Sequence, residues 1–437
     1  MVKRILKYIL IGTALTQIHC SAQAALRPFG SAPKLIEVAP GYSGTSVNTA
    51  IFRANSIVTH GDTQYVCFYD PEGYVTLAKR KLKSTDWEVK RTQYKGNVKD
   101  AHNVICMGVD GNGFLHVAFD HHGNKLNYVR SVDAGSLEMG NLQPMTGIDE
   151  DNVTYPEFYS LPDGDLLFVY RSGASGRGNM AINRYDARSG VWNRVQDTLI
   201  DGEEERSPYW QINVDENGVI HVSWVWRESW LVETNHDLCY AKSPDGGRTW
   251  MRSDGSLYTL PITAENAEYA IKIPENSELI NQTSMTADRW SNPYIVSYWR
   301  SPDSEVPQFR LVWNDGNGWR QREISNRTTP FTLSGGGTKM IPVSRPRVVA
   351  DGSFIAVLYR DQERGGKVSM TATFNGPDGD WEIEDLTDFD VNAWEPTIDN
   401  QLWRDRKKIH VFVQNTYQGD GEKALETEPT TVYVLQY

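Results

Sequence analysis

The sequence predicts an all-β chain folded as a seven-bladed β-propeller. Three observations carry this reading. A turn rich in Asp, Gly or Asn followed by a short apolar strand recurs seven times, most copies roughly 50 to 60 residues apart, close to the period of propeller blades. Most copies are followed by a second strand and then by a Trp near a turn. No stretch of a dozen or more residues shows strong helical periodicity.

The copies run in order along the chain. The first three are Thr63–Tyr69, Gly113–Phe119 and Gly164–Tyr170. Gly218–Trp224, Asn292–Tyr298 and Gly352–Tyr359 follow, and Lys408–Val413 is the last. Each is rich in β-branched and aromatic residues, which suit a pleated, half-buried surface. Following strands are Tyr74–Leu82 with Trp87, Met180–Tyr185 with Trp192, and Leu238–Ala241 with Trp250. Phe309–Trp313 with Trp319 and Val368–Phe374 with Trp381 repeat the theme. Seven four-stranded units in a ring satisfy the pattern. The early segment Lys34–Val38 is expected to pair with Thr431–Tyr437 and close the ring. Glu265–Glu278 reads as part of an inserted loop, and Leu333–Gly337 as a flexible segment able to line a cleft.

Residues 1–24 read as a secretory signal. Lys3, Arg4 and Lys7 make a basic start, Tyr8–Leu15 is largely apolar, and Ala22-Gln23-Ala24 fits a cleavage site. No later run is long and apolar enough for a membrane span. The expected mature chain is therefore a secreted or periplasmic propeller of residues 25–437, monomeric and without membrane partners. Loss of Cys20 leaves Cys67, Cys106 and Cys239, too few for a disulfide framework. The net charge of −12 argues against nucleic-acid binding, while leaving room for a local basic cleft that takes an anionic substrate. Fourteen Trp and 21 Tyr suit both strand-rich cores and surfaces that stack on sugar rings.

Four of the nine histidines fall within 21 residues: His102, His116, His121 and His122. Val104-Ile105-Cys106 and Phe114–Phe119 read as strands joined by the turn Asp110-Gly111-Asn112-Gly113, which brings their outer ends together. His102 stands before the first strand and the His121–His122 pair after the second, so His102 and one of that pair can share a cleft. Neighbours in an extended strand point to opposite faces, so only one of the pair is expected to do so. His116 and His221 occupy the same place in two copies, inside apolar strands, and read as structural.

Ser243-Pro244-Asp245-Gly246-Gly247-Arg248-Thr249-Trp250 fits the Asp-box pattern S-x-D-x-G-x-T-W and is similar to segments of sialidase-like propellers. It speaks for fold, not activity. A closer resemblance lies in Asp100-Ala101-His102-Asn103, Gly113–Val117, Asp120–Asn124 and Leu126-Asn127-Tyr128. Val153–Pro156, Tyr170–Gly173, Arg206–Trp210, Trp226-Arg227 and Asn235–Tyr240 extend it. This set resembles the BNR-4 propeller proteins, which include ulvan lyases and related lyases acting on rhamnose–glucuronate links. The resemblance covers nearly all of the mature chain, most specifically residues 100–250.

The resemblance implies a polysaccharide lyase acting on a uronate-containing, sulfated, ulvan-like polymer by β-elimination, with no cofactor required for the chemistry. It selects His122 over His121. His102, His122, Tyr155 and Arg171 are the expected catalytic residues. Tyr209, Arg206, Arg227 and His121 are the expected substrate-binding ones. His236 and Cys239 are candidate ligands of a structural zinc or calcium ion, with His410 or Cys67 as further ligands if the fold brings them close. Two other classes stay open at this point. One is a glycoside hydrolase, which needs paired carboxylates that Asp100, Asp120 and Glu157 do not supply by spacing alone. Phe52-Arg53-Ala54-Asn55 is a weak echo of a sialidase's first arginine motif. The other is a sugar-binding propeller without catalysis.

Overall fold

Each of the seven recurring strands becomes the second strand of a separate antiparallel sheet, and the seven sheets form a ring. This computed structural model describes residues 32–281 and 284–437; the leader-like segment 1–24 lies outside them. Pro33–Tyr437 form one compact unit. Each blade begins with its innermost strand and proceeds outward by hairpins. Blade one contains Ile57–His60, Thr63–Tyr69, Tyr74–Lys81 and Glu88–Lys95. Blade four contains Ser207–Val214, Ile220–Arg227, Asn235–Ser243 and Glu268–Ile271. Blades one, four, five, six and seven each have four strands.

The ring closes as the sequence predicts. Lys34–Gly41 pairs antiparallel with Thr430–Gln436 and supplies the outermost strand of blade seven. The two ends of the described chain thus complete one sheet, so no blade of the ring is left unpartnered by chain order. Glu265–Glu278 is not wholly loop: Glu268–Ile271 pairs with Leu238–Tyr240 as the outer strand of blade four.

Blade two departs from the four-strand expectation. It has three strands, Ile105–Val109, Leu115–Phe119 and Tyr128–Arg130. Residues 131–152, which carry four glycine or proline positions at 135, 140, 144 and 147, form only an isolated bridge between Ser131 and Met139. In exchange, the short strand His122–Asn124 leaves its own blade. It pairs with the innermost strand of blade three, Val153–Ser160, opposing His122 to Thr154. This crossing carries a blade-two histidine to the blade-three site.

Apolar layers between neighbouring sheets make the core. One unites blades one and two around Cys67, Leu77, Met107 and Val117. Another joins blades three and four around Trp210, Trp224 and Trp250. Turns between first and second strands are tied by Asp side chains. Asp110 accepts from the amides of Asn112 (2.9 Å) and Phe114 (3.0 Å), and Asp215 accepts from those of Asn217 and Val219 (both 2.9 Å). In the segment 243–250, Asp245 accepts from the amides of Arg248 (3.1 Å) and Thr249 (2.9 Å), and Trp250 is buried.

These first-to-second turns mark one face of the ring. It also carries the one α-helix among the described residues, Asn400–Arg406, absent from the sequence expectation. Asp399 caps it by accepting from the Leu402 amide at 2.9 Å. The second-to-third turns and the connections between blades converge on the opposite face.

Candidate active site

On that opposite face a cavity of about 1100 Å³ opens, lined by His102, His122, Tyr155, Arg171, Tyr209 and Arg227 among others. All four expected catalytic residues are therefore brought together, with two of the expected binding residues.

Asp100 organises the histidines. Its Oδ1 accepts from the His102 Nδ1 at 3.0 Å and its Oδ2 from the His122 Nδ1 at 2.6 Å. The two imidazoles stack with centroids 4.1 Å apart. Glu422, from the loop before the last strand, reaches the same His102 Nδ1 at 3.1 Å. Burial disfavours the charged form of His102, but the two carboxylates outweigh it and raise its pKa to about 9. Burial likewise opposes ionisation of Asp100, yet hydrogen bonds from both imidazoles hold its pKa well below the usual range. With Nδ1 engaged, Nε2 is the nitrogen of His102 left for a ligand.

Tyr155 sits at a strained point. Its backbone φ is +54°, a left-handed conformation costly for a bulky residue, at a register break between Thr154 and Glu157. The bulge directs its ring among Phe52, His102 and Tyr209, at centroid distances of 5.1, 5.8 and 5.9 Å. Such strain persists where surrounding structure enforces it, commonly at functional sites.

Arg171 lies 4.9 Å over the Tyr155 ring. It is buried, and its Nε and Nη1 have no hydrogen-bond partner. Arg227 lies 5.5 Å over the Tyr209 ring. The two phenols are driven apart in acidity. Burial, reinforced by the neighbouring Tyr209, raises Tyr155. Burial also acts on Tyr209, but Arg171 and Arg227 outweigh it and lower its pKa, helped by Ser175, whose hydroxyl is 3.2 Å from the phenol oxygen.

Other expected residues fall elsewhere. His121 is fully buried off the cavity, where its Nε2 accepts from the Asn127 amide at 2.8 Å. Desolvation drives its pKa down to about 3, which favours the neutral form, and it does not line the cavity. Arg206 pairs with Glu228 (2.8 Å), Glu203 (3.0 Å) and Glu205 (3.2 Å) and does not line the cavity. His236 is held by Glu228 (2.8 Å) and Asp237 (3.2 Å), while Cys239 is buried in the apolar layer with Trp224. Neither further candidate joins that pair: His410 meets Gln64 in blade one, and Cys67 lies against Arg53. Among the described residues, the one cluster spaced for a cation is Asp100, His102 and His122, with ligand atoms within 4.8 Å of one another. A metal there would have to displace the protons that the two imidazoles share with Asp100. Arg53 is buried and donates to the backbone carbonyls of Asn48, Cys67 and Ile105, so it grips no ligand.

Sequence reasoning missed Arg345, Glu395 and Glu422. Arg345 clamps Glu395 through two bonds of 2.7 and 2.6 Å, and both line the cavity. No local pattern marks them; their partners come from distant loops.

Residues 63–327 match the model of the BNR repeat-containing family. The chain belongs to that family. Two curated relatives are long-isoform ulvan lyases. One, from Pseudoalteromonas sp. (strain PLSV), is 23% identical over 70% of this chain and 36% of its own length. The other, from Alteromonas sp., is 24% identical over the same shares. This BNR family member thus spans about a third of the length of the curated relatives it matches. Among solved structures, the polysaccharide lyase Uly1 superposes with a TM-score of 0.67 at 14% identity, over 92% of this chain and 99% of that one. A PL25 ulvan lyase gives 0.68 at 15%, over 90% and 97%. At these identities the superpositions establish the propeller fold.

Proposed function

We propose that this BNR family member is a polysaccharide lyase that cleaves a uronate-containing, sulfated, ulvan-like polymer by β-elimination. One observation carries the reading: Arg171 is a buried cation with two unpartnered nitrogens, set against two buried phenols. A buried cation calls for an anion, and Arg171 lines a cavity that a substrate carboxylate can enter. The ulvan lyase relatives support the substrate class.

The chemistry follows from the groups present. The C5 proton of a uronate is weakly acidic until its carboxylate is neutralised. Arg171, Arg227 and the cationic His102 supply that charge at the cavity wall. Tyr209, lowered by the two arginines, takes the C5 proton as its phenolate. A C4–C5 double bond forms as the C4–O4 bond breaks. Tyr155, kept protonated by burial, gives its proton to the departing O4. In glucuronate the C5 hydrogen and O4 lie on the same side of the ring, which suits two adjacent phenols. His122, exposed and lining the cavity, is the candidate base for the opposite epimer. Of the four carboxylates lining the cavity, Glu395, Glu422 and Asp420 are engaged by Arg345, His102 and Lys339, leaving Asp390, which speaks against paired-carboxylate hydrolysis. We read the site of action as outside the cytoplasm, in keeping with a polymeric substrate and the leader-like residues 1–24.

Ultraviolet absorbance with ulvan tests this directly. The wild type should generate the absorbance of the new double bond, and Arg171→Ala should reduce the rate by about 10²-fold or more. New reducing ends without absorbance would point to hydrolysis. Retention of the polymer without either product would point to a binding propeller.

A further inference from the structure

Trp230 lines the cavity with 62% of its surface exposed. Leaving an indole in water forgoes the gain of burying it, yet the loop that carries it is firmly held. The Arg227 guanidinium donates to the carbonyls of Ser229 (3.1 Å) and Leu231 (3.2 Å), and to that of Trp230 itself. Thr234 Oγ1 donates to the Leu231 carbonyl at 2.7 Å. The Val232 amide donates to the Gly335 carbonyl, and the Gly335 amide to Glu233 Oε2, both at 2.9 Å. Gly336 lies against the ring: a Cβ there would stand 2.5 Å from the indole Cε3 and 2.8 Å from Cζ3, so glycine is required for the approach. The Leu333–Gly337 segment therefore serves as a backing for an indole fixed in position and open to the cavity.

We propose that Trp230, backed by Gly336, is a stacking platform for the pyranose ring adjoining the uronate held at Arg171 and Arg227. This rests on the uronate reading above. The C–H face of a pyranose is apolar and packs on an aromatic ring, while its hydroxyls remain solvated at the edge. Arg227 links the two sites. Its donors fix the Trp230 loop while its guanidinium covers Tyr209, so platform and anion pocket are held in one spacing. A single uronate fills the arginine end alone; an oligosaccharide fills both. Affinity therefore rises with the first added sugar ring, and Trp230 supplies much of that gain.

Affinity electrophoresis in gels containing ulvan, paired with initial rates, tests the platform. Trp290, 65% exposed in a first-to-second turn on the opposite face, provides the control. Trp230→Ala should bind about tenfold more weakly and raise KM, with kcat changed by about twofold or less. Trp230→Phe should keep most of the affinity, and Trp290→Ala all of it. Wild-type affinity and KM in Trp230→Ala would overturn the platform while leaving elimination intact. Loss of retention in Trp230→Ala, beside a wild type that binds but yields no absorbance, would keep the platform and overturn the lyase chemistry. A wild type retained by neither ulvan nor another uronate polymer would overturn both.

Discussion

Two pairs of histidines in this chain show how one residue type is put to opposite uses. His116 and His221 occupy the same position in blades two and four, and each is fully buried. His116 contacts the Tyr128 hydroxyl at 2.6 Å and Asp110 at 3.2 Å; His221 contacts the Tyr240 hydroxyl at 2.7 Å and Asp215 at 3.1 Å. Both nitrogens are satisfied within the sheet, and the Asp is the same one that ties the neighbouring turn. His102 and His122 instead stand at strand ends, share one carboxylate, and line a cavity. The first pair is closed, and the second leaves a nitrogen for a ligand. Position along a strand, not residue type, separates structural from functional histidine here.

The comparison breaks first on activity. His102→Ala should lower the elimination rate by about 10² to 10⁴-fold with the fold intact, because it removes the cation beside the reacting carboxylate. The pH profile should follow. His102 is cationic below its raised pKa of about 9, so the alkaline limb of the rate should fall through that value. Glu422→Gln should move the limb to lower pH, since it removes one of the two carboxylates that favour the charged form. An alkaline limb that ignores both substitutions would sink the assignment.

Stability breaks it second, and in the other direction. His116→Ala should cost about 2 to 3 kcal/mol in chemical unfolding, because Asp110 and Tyr128 lose a buried partner. Its rate per folded molecule should stay near wild type.

Acidity gives a third contrast. The folded-state pKa of His102 lies above the ordinary value of 6.5, so its contribution is complete below 6.5 and is lost as pH rises through about 9. Burial lowers His116 and drives His121 down to about 3. These buried imidazoles contribute fully above 6.5, and stability falls as pH drops through their folded values. Unfolding followed across pH should show the alkaline loss vanish in His102→Ala and the acid loss remain.

The blades were legible because each is a local event. A turn, an apolar strand and a Trp recur within a few tens of residues, and all seven recurring segments became second strands. Ring closure was legible because only the two ends lacked partners. His102 and His122 were legible as neighbours because they stand at strand ends, where clefts form, whereas Tyr155 and Arg171 lie within strands and rested on family resemblance. The choice of His122 over His121 rested on family resemblance; the structure gives its physical reason, since the 122–124 strand crosses to the next blade and leaves His121 buried behind it. What stayed hidden is long-range. Glu422 reaches His102 across 320 residues, and Arg345 meets Glu395 through two inter-blade loops. Arg206 and the His236–Cys239 pair lie off the cavity, beside carboxylates and indoles that the local sequence does not reveal.

The smallest expected effect concerns the turn at Asp245, at the far edge of the comparison. Asp245 also accepts from the hydroxyls of Ser243 (2.9 Å) and Thr249 (2.8 Å), so it ties a turn much as Asp110 and Asp215 do. Unlike them it has no histidine to hold, and it is partly solvated, so water can replace much of what it provides. Asp245→Ala should therefore cost only about 1 kcal/mol of stability, visible as a small shift in denaturant midpoint. Its rate on ulvan and its pH profile should match the wild type. A change in either would mean that the outer turn of blade four communicates with the cavity, and that the separation between turn-tying and cavity-lining carboxylates is less complete than their distances show.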